Sequence, residues 1–328
     1  MKIFVTGGAG FIGSHIVEEH LKRGHEVWVI DNLSTGQLKN IEGFKNLRFD
    51  QAELVGYPKL KDAVEWADQV YHAAASLGMK NVVAYPVKTL RTNIDSTTVL
   101  LEAIGDSKKK PHLLFTSTSG VYCHLPLPLA DGYHEDSDII FHSGVYQQEC
   151  YSLGKLVNEV MALGLADTKG FLCTVVRLFN TIGPRQTGKY GMVAPRFVQQ
   201  ALKGEPLTVY GDGLQSRAFN SVHDSVHVMM LLMEHKESSG QIYNVGNTRT
   251  TTILDLAKLI IERTKSCSKI QFVSYQEAFG FDFHDVMWRK PCLTKLHKLT
   301  NYEPHYTLEQ TIDELIAFYH ARLQLSSL

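Results

Sequence analysis

The chain opens Met1-Lys-Ile-Phe-Val-Thr-Gly-Gly-Ala-Gly-Phe-Ile-Gly13, and how this stretch is read decides the fold. Lys2 to Val5 is a short apolar, β-branched run that breaks at Gly7, Gly8, Gly10 and Gly13 before an amphipathic segment starts at Ser14. The order predicts strand, tight turn, helix. A diphosphate lying on a helix N-terminus needs unpaired backbone N–H groups aimed at it and a turn with no Cβ atoms in the way. Gly7, Gly10 and Gly13, spaced Gly-x-x-Gly-x-x-Gly, supply that turn. A second strand, Glu26-Val-Trp-Val-Ile30, ends in Asp31, where a carboxylate can accept from both hydroxyls of an adenosine ribose. Asn32 to Gly36 holds no Lys or Arg to neutralise a 2′-phosphate, which favours NAD over NADP.

Outward from this unit, strand and helix alternate. Ser14 to Arg23 reads as a helix closed by Gly24, Asn46 to Phe49 as a third strand ending in Asp50-Gln51, and Gln69 to His72 as a fourth running into Ala73-Ala-Ala75. Helices over Pro58 to Trp66, Pro86 to Ile104 and Glu149 to Leu165 interleave with strands at His112 to Phe115 and Phe171 to Leu178. The expected fold is α/β, a Rossmann-type doubly wound parallel sheet covered on both faces, with ligands at the carboxyl ends of its strands. Residues 1–180 are read as the NAD-binding domain. Past Asn180 the rhythm changes: a polar loop runs from Gly183 to Gly191, and strands such as Leu207 to Tyr210 and Gln241 to Val245 are short and separated. Residues 181–328 are read as a smaller α/β lobe that closes over the first, with parts near 218–235 packing back on it. Thr252 caps a helix to Arg263, and Thr307-x-x-Gln310 makes a capping box for a final helix to Leu325.

Bulk properties restrict the function. Among 328 residues, 33 are basic and 34 acidic, so nothing marks a nucleic-acid or anionic-membrane surface and a small molecule is the expected partner. The first strand starts at Lys2 and no run of about eighteen apolar residues occurs, so neither a signal peptide nor a membrane span is expected and the cytoplasm is the expected compartment. Cys123, Cys150, Cys173, Cys267 and Cys292 stand far apart with no Cys-x-x-Cys, which reads as free thiols. The 15 histidines are scattered, and His223-x3-His227 has no third ligand to point at, so spacing along the chain predicts no metal site.

Tyr151-Ser-Leu-Gly-Lys155 puts a phenol and an ammonium on one face of a helix. A lysine cation beside a tyrosine, with a cationic nicotinamide near, favours phenolate and makes Tyr151 a usable base. Tyr57-Pro-Lys-Leu-Lys61 repeats the spacing, but lies on the flank of the sheet and is set aside. Phe115-Thr-Ser-Thr-Ser-Gly-Val-Tyr122 follows the fifth strand, so its hydroxyls emerge at the same edge as Tyr151.

These stretches resemble the extended short-chain dehydrogenases/reductases, in the nucleoside-diphosphate-sugar epimerase/dehydratase group. The likeness is carried by Thr6 to Gly13, Asp31 to Gly36, His72-Ala-Ala74, Asn93, Thr116 to Tyr122, Tyr151-x3-Lys155, Arg177 to Pro184, Leu207 to Gly213 and Arg217, and covers nearly the whole chain. It implies a cofactor site of Gly7, Gly10, Phe11, Ile12 and Gly13 on the diphosphate, with Asp31, Asn32 and Ser34 on the adenosine ribose. Asp50 and Gln51 would hold the adenine, and Ala73, Ala74 and Asn93 the middle of the cofactor. Tyr151 would be the base, Lys155 would bind the nicotinamide ribose, and Thr118, with Ser119 beside it, would share the substrate hydroxyl. Asn180, Val193, Thr208, Tyr210, Arg217 and Arg289 would grip the nucleotide and diphosphate, Cys292 standing where the family has Asp soon after Arg289. The resemblance also implies a homodimer packed through the Pro86–Ile104 and Glu149–Leu165 helices.

In such enzymes the tyrosine takes the proton of the sugar 4-hydroxyl while C4 is oxidised. The resemblance places Asp and Glu after the catalytic Thr in 4,6-dehydratases, and Glu at the position of Gly120 in decarboxylases; this chain has Ser119 and Gly120. A 4-epimerase needs neither group, so NAD-dependent epimerisation of a UDP-hexose is favoured. Phe179 to Gln186 and Tyr190-Gly-Met192 are nearer the decarboxylase-like branch, which keeps UDP-glucuronate decarboxylase, and dehydratase, open as alternatives. From another class, a non-catalytic NAD-binding regulator is the remaining alternative.

Overall fold

The computed structural model describes residues 1–123, 125, 131–141, 149–188, 191–280 and 285–326. In β1 (Lys2–Thr6), Ile3 and Val5 face one side of the sheet and Phe4 the other, and all three are fully buried. Two apolar faces are what a strand covered by helices on both sides requires. α1 (Phe11–Lys22) starts three residues before Ser14, because Gly10 caps it in extended backbone and the glycine turn is tight enough for Phe11 to be helical already. β2 (Glu26–Asp31), β3 (Leu47–Gln51), α2 (Leu60–Trp66), β4 (Gln69–His72), α3 (Met79–Ala84), α4 (Pro86–Asp106) and β5 (His112–Thr118) follow. α5 (Cys150–Lys169) runs four residues past Leu165, stopping only where Gly170 takes the left-handed conformation and its N–H donates to the Ala166 carbonyl. β6 is Cys173–Leu178.

The rest comprises β7 (Thr181–Ile182), α6 (Val193–Lys203), β8 (Leu207–Tyr210), β9 (Ser216–Ala218), β10 (Asn220–Ser221), α7 (Val222–Glu234), β11 (Gln241–Val245), β12 (Thr250–Thr252), α8 (Ile253–Thr264), β13 (Ile270–Val273), α9 (Tyr275–Phe279), β14 (Trp288–Arg289), α10 (Thr294–Thr300) and α11 (Leu308–Ser326). Among the described residues the main sheet has seven parallel strands in the order β11-β6-β5-β4-β1-β2-β3. The strand Gln241 to Val245 is therefore not a separate piece of the second lobe. It pairs with β6 from Gln241↔Thr174 to Val245↔Leu178, and its buried Tyr243 and Val245 need that neighbour to leave water.

One face of the sheet is covered by α1 and α7, where Ile16 and Val17 share a core with Val226, Met229, Met230 and Met233. On the other, α2, α4 and α5 place Val64, Leu100, Ile104, Ala162 and Ala166 against Phe4, Trp28 and Phe115. A further core lies among α6, β8, α8 and α11, built on Phe197, Leu207, Val209, Leu256, Ile260, Ile312 and Leu315. Both anticipated caps form. Thr252 Oγ1 accepts from Asp255 N at 3.0 Å, while Thr307 Oγ1 accepts from Gln310 N at 3.2 Å and Thr307 N donates back to Gln310 Oε1 at 2.9 Å. Strand order reverses at β1, which lies between β2 and β4, so the turns after β1 and β4 part there and leave a crevice at the carboxyl edge.

Candidate active site

A cleft of about 1470 Å³ runs from that crevice, along the ends of β1, β2, β4 and β5, to the core among α6, β8, α8 and α11. Drug-sized ligands occupy roughly 300–1,000 Å³, so it has room for two ligands end to end. Its floor is the glycine turn. Gly7 has φ +72° and a Cβ there would lie 2.7 Å from the Ala74 backbone; a Cβ on Gly13 would lie 2.1 Å from the Gly7 carbonyl. Ala73 and Ala74 thus close directly over the turn, and α1 packs directly onto it. Gly10, Phe11, Ile12 and Gly13 line the cleft with the helix's first N–H groups, and no acidic side chain sits in that first turn. This is a cradle for an anion, and it fits the diphosphate of a dinucleotide.

Asp31, Asn32 and Ser34 continue the wall. Burial raises the Asp31 carboxyl above its ordinary range, opposed by N–H donors from Leu33 (2.8 Å) and Ala9 (3.0 Å) that also fix its orientation. Asp50 and Gln51, expected to hold the adenine, do not line the cleft. The Asp50 carboxylate accepts from Trp28 Nε1 (2.8 Å), Tyr57 Oη (2.6 Å) and Lys59 Nζ (3.1 Å), Gln51 is exposed, and the cleft is bounded instead by Ala52 to Val55. Asp50 is in register with Ile30 and stands diagonally across from Trp28, whose own partner is Arg48, so its side chain shares a face with the indole and accepts from its N–H. Asn93 likewise acts at one remove, its amide gripping Ser76 N at 2.7 Å and Ser76 O at 3.0 Å and so bracing the loop after Ala73-Ala74.

At the end of β5, Thr118, Ser119 and Gly120 line the cleft together with Tyr151, Ser152 and Lys155 from the first turns of α5. Thr118 Oγ1 accepts from Gly120 N at 3.1 Å, which sets the short 3₁₀ turn over Ser119–Tyr122. Burial alone drives the Tyr151 phenol above its usual value. Lys155 is also buried, and burial lowers its ammonium to about 7, with Glu159 opposing. Its Nζ donates to the Thr116 carbonyl at 2.7 Å and lies 4.7 Å from the Phe115 ring. The Lys155 ammonium is thus engaged by a backbone carbonyl, and the charge expected to draw the phenol down is that of Lys155 together with a cationic nicotinamide. Behind it, Glu159 accepts from Arg177 (2.8 to 3.2 Å) and from the Ser117 hydroxyl, all three buried.

The second lobe contributes Asn180, Val193, Tyr210, Arg217 and Arg289, whereas Thr208 faces away, its hydroxyl taken by Gln200 Nε2 at 3.1 Å. Arg217 does not present a bare guanidinium: it donates to Asp285 Oδ1 (2.6 Å) and to the carbonyls of Val286 (2.6 Å) and Ser216 (2.8 Å). Arg289 pairs in register beside it, and burial and then Arg217 lower it to about 10. Two residues were not anticipated. Arg196 lies 4.1 Å from the Tyr210 ring centroid, with Nε and one terminal nitrogen buried and without a hydrogen-bond partner among the described residues; Asn180 Oδ1 is in the same condition. Ser152 is the other, its hydroxyl 2.5 Å from where a Cβ on Gly120 would stand. Neither had a motif to betray it. Tyr190, quoted above with Gly191 and Met192, lies outside the described residues.

The profile of the NAD dependent epimerase/dehydratase family matches residues 3–246, well over half of the chain. The chain belongs to that family. Within it, the chain is 36% identical over 320 residues to the UDP-N-acetyl-alpha-D-glucosaminuronate decarboxylase of Bacillus cytotoxicus, covering 97% of each. The fold is similar to the UDP-glucose 4-epimerase of Thermotoga maritima solved with UDP-glucose, at TM-score 0.87 and 29% identity over 98% of this chain and 100% of that one. It is also similar to the Thermus thermophilus UDP-glucose 4-epimerase solved with NAD, at TM-score 0.83 and 28% identity over 98% and 99%. The glycine cradle and the Asp31 wall of this family member are what an NAD site needs, on the geometry above. No helix among the described residues is long and apolar enough to cross a membrane.

Proposed function

We propose that this protein inverts a nucleotide sugar at C4 through a transient 4-keto sugar, with tightly held NAD and a UDP-hexose as the class of substrate. The observation that carries the choice is Gly120. At that position, two residues after Thr118, Ser152 Oγ fills the space a Cβ would need, so the segment from Thr118 to Gly120 offers hydroxyls and carries no carboxylate of its own. Epimerisation needs nothing more there than hydroxyls and a base.

Gly7, Gly10, Phe11, Ile12 and Gly13 would hold the cofactor's diphosphate, Asp31, Asn32 and Ser34 its adenosine ribose, Ala73 and Ala74 its middle, and Lys155 its second ribose. NAD bound there supplies reversible two-electron oxidation and a positive charge in the same buried space. Tyr151 takes the proton of the 4-hydroxyl, Thr118 holds that oxygen, and Tyr151 returns the proton after the sugar has turned. Arg196 and Asn180, with unpaired buried polar atoms, and the Arg217–Arg289 pair anchor the nucleotide, leaving the sugar end mobile. An exposed apolar stripe of Leu153, Val157 and Val160 on α5, which packs along α4, supports a homodimer through these two helices.

Decarboxylation is the second reading, favoured by the Bacillus cytotoxicus relative and by Glu149. This residue stands at the N-cap position of α5, two positions before Tyr151, and lines the cleft; burial raises the Cys123 thiol and the Glu149 charge adds to it, so a carboxylate reaches the same end from the other side. Incubation with UDP-glucose, UDP-glucuronate and UDP-N-acetylglucosaminuronate, with products read by mass and NMR, separates the two. A new C4 stereocentre at unchanged mass is expected; release of CO₂ that disappears in Glu149→Gln would replace epimerisation with the second reading.

A further inference from the structure

Away from the cleft, the fold brings together three side chains that lie far apart in the chain. Asp131 Oδ2 is 2.9 Å from His134 Nε2 and 3.8 Å from Cys292 Sγ, and all three ligand atoms lie within 4.8 Å of one another. We propose that Asp131, His134 and Cys292 form a binding site for a thiophilic divalent cation of the zinc type, with solvent in the fourth position.

The distances suit such an ion. Bond lengths of about 2.3 Å to sulfur and about 2.0–2.2 Å to nitrogen and oxygen place tetrahedral ligand atoms about 3.4–3.6 Å apart. The observed 2.9 and 3.8 Å straddle that spacing and the third separation is at most 4.8 Å, so side-chain rotation of about an ångström completes the geometry. The donor set also selects. Thiolate with imidazole prefers zinc and its neighbours, whereas magnesium and calcium seek oxygen alone.

The backbone beneath the three residues is built to hold them. Tyr133 N donates to Lys290 O at 2.8 Å and Cys292 N donates to Tyr133 O at 2.8 Å, locking the 131–134 turn against the segment after β14. A Cβ on Gly132 would lie 2.6 Å from the Pro291 carbonyl carbon, so this approach is possible only with glycine, which has φ +104° there. Asn244, buried in β11, donates from its amide to Tyr133 O at 2.8 Å and ties the pair of segments to the main sheet. Cys292 is buried and Thr294 Oγ1 lies 3.3 Å from its sulfur, while Asp131 is exposed, which leaves an entry path from solvent. Because Arg289 lies three residues before Cys292 and lines the cleft, an ion here would pin the strand that carries it.

The test uses the full untagged chain, stripped with chelator, and Co²⁺ as a spectroscopic probe displaced by Zn²⁺. One Co²⁺ per chain is expected, with the visible bands of tetrahedral cobalt and an ultraviolet thiolate-to-cobalt charge-transfer band. Cys292→Ser should erase the charge-transfer band, and Asp131→Ala, at an exposed position that folding tolerates, should weaken binding in parallel. No cobalt taken up, or spectra unchanged in both variants, would overturn the site.

Discussion

Burial acts on Tyr151 and Lys155 in opposite directions, the phenol going up and the ammonium down to about 7, so the pair as it stands is closer to neutral than to a phenolate–ammonium couple. A base of this kind is silent until a ligand supplies charge, which suits an enzyme that must not deprotonate water. Tyr151→Phe should lower turnover by at least about 10²-fold, the lower range for losing a general base, while NAD binding measured by fluorescence is unchanged; turnover within a few-fold of the parent would remove Tyr151 from the role. At Gly120 the neighbour decides the outcome. A Glu placed there meets Ser152 Oγ at Cβ, so Gly120→Glu alone should impair turnover, and Gly120→Glu with Ser152→Gly should seat the carboxylate and release CO₂ from UDP-glucuronate. If the double variant yields only the 4-epimer, the missing carboxylate is not what separates the two chemistries. The first prediction follows from the Tyr-x3-Lys spacing, but the second does not, because Ser152 reaches Gly120 only where α5 packs on the turn after β5.

α5 is the element that couples chemistry to scaffold. Tyr151 and Lys155 occupy its first two turns, and one turn further Glu159 is bound to Arg177 of β6 and Ser117 of β5, every partner at most 3% exposed. A lost partner would strand a buried charge, which costs about 3–5 kcal/mol. Glu159→Ala should therefore lower the unfolding free energy by that amount in chemical denaturation, and a loss below about 1 kcal/mol would mean that water or a rearranged Arg177 compensates. The outer face of the same helix carries Val160, 68% exposed, with Leu153 and Val157 in the same stripe. Sedimentation of Val160→Asp should give a monomer where the parent gives a dimer; a dimeric variant would place the contact elsewhere.

Across the whole molecule the buried histidines set an acid limit. Burial lowers His15, His20 and His72 to about 3 and His112 to about 4, each from 6.5. The unfolded chain binds the extra protons between these values, so stability is complete above pH 6.5 and is lost as pH falls toward 3. At pH 5 the loss is on the order of 2 kcal/mol for each histidine, a large share of the roughly 5–15 kcal/mol of a typical domain. The thermal midpoint should fall steeply from pH 6.5 to 4.5, and a flat profile would show these rings to be open to solvent. Sequence alone determined the alternation of strand and helix, the glycine turn, Asp31, the tyrosine–lysine helix and both helix caps, because each is written in periodicity or in contacts within a few residues. The tertiary structure decided what depends on which distant surfaces meet. It returned Gln241–Val245 to the main sheet, turned Asp50 toward Trp28, tied Arg217 to Asp285, set Ser152 against Gly120, and gathered Asp131, His134 and Cys292. Hydrogen-bond partners and ligand sets are chosen by proximity in space, and residues from 22 to 161 positions apart leave no spacing in the chain from which that proximity can be read.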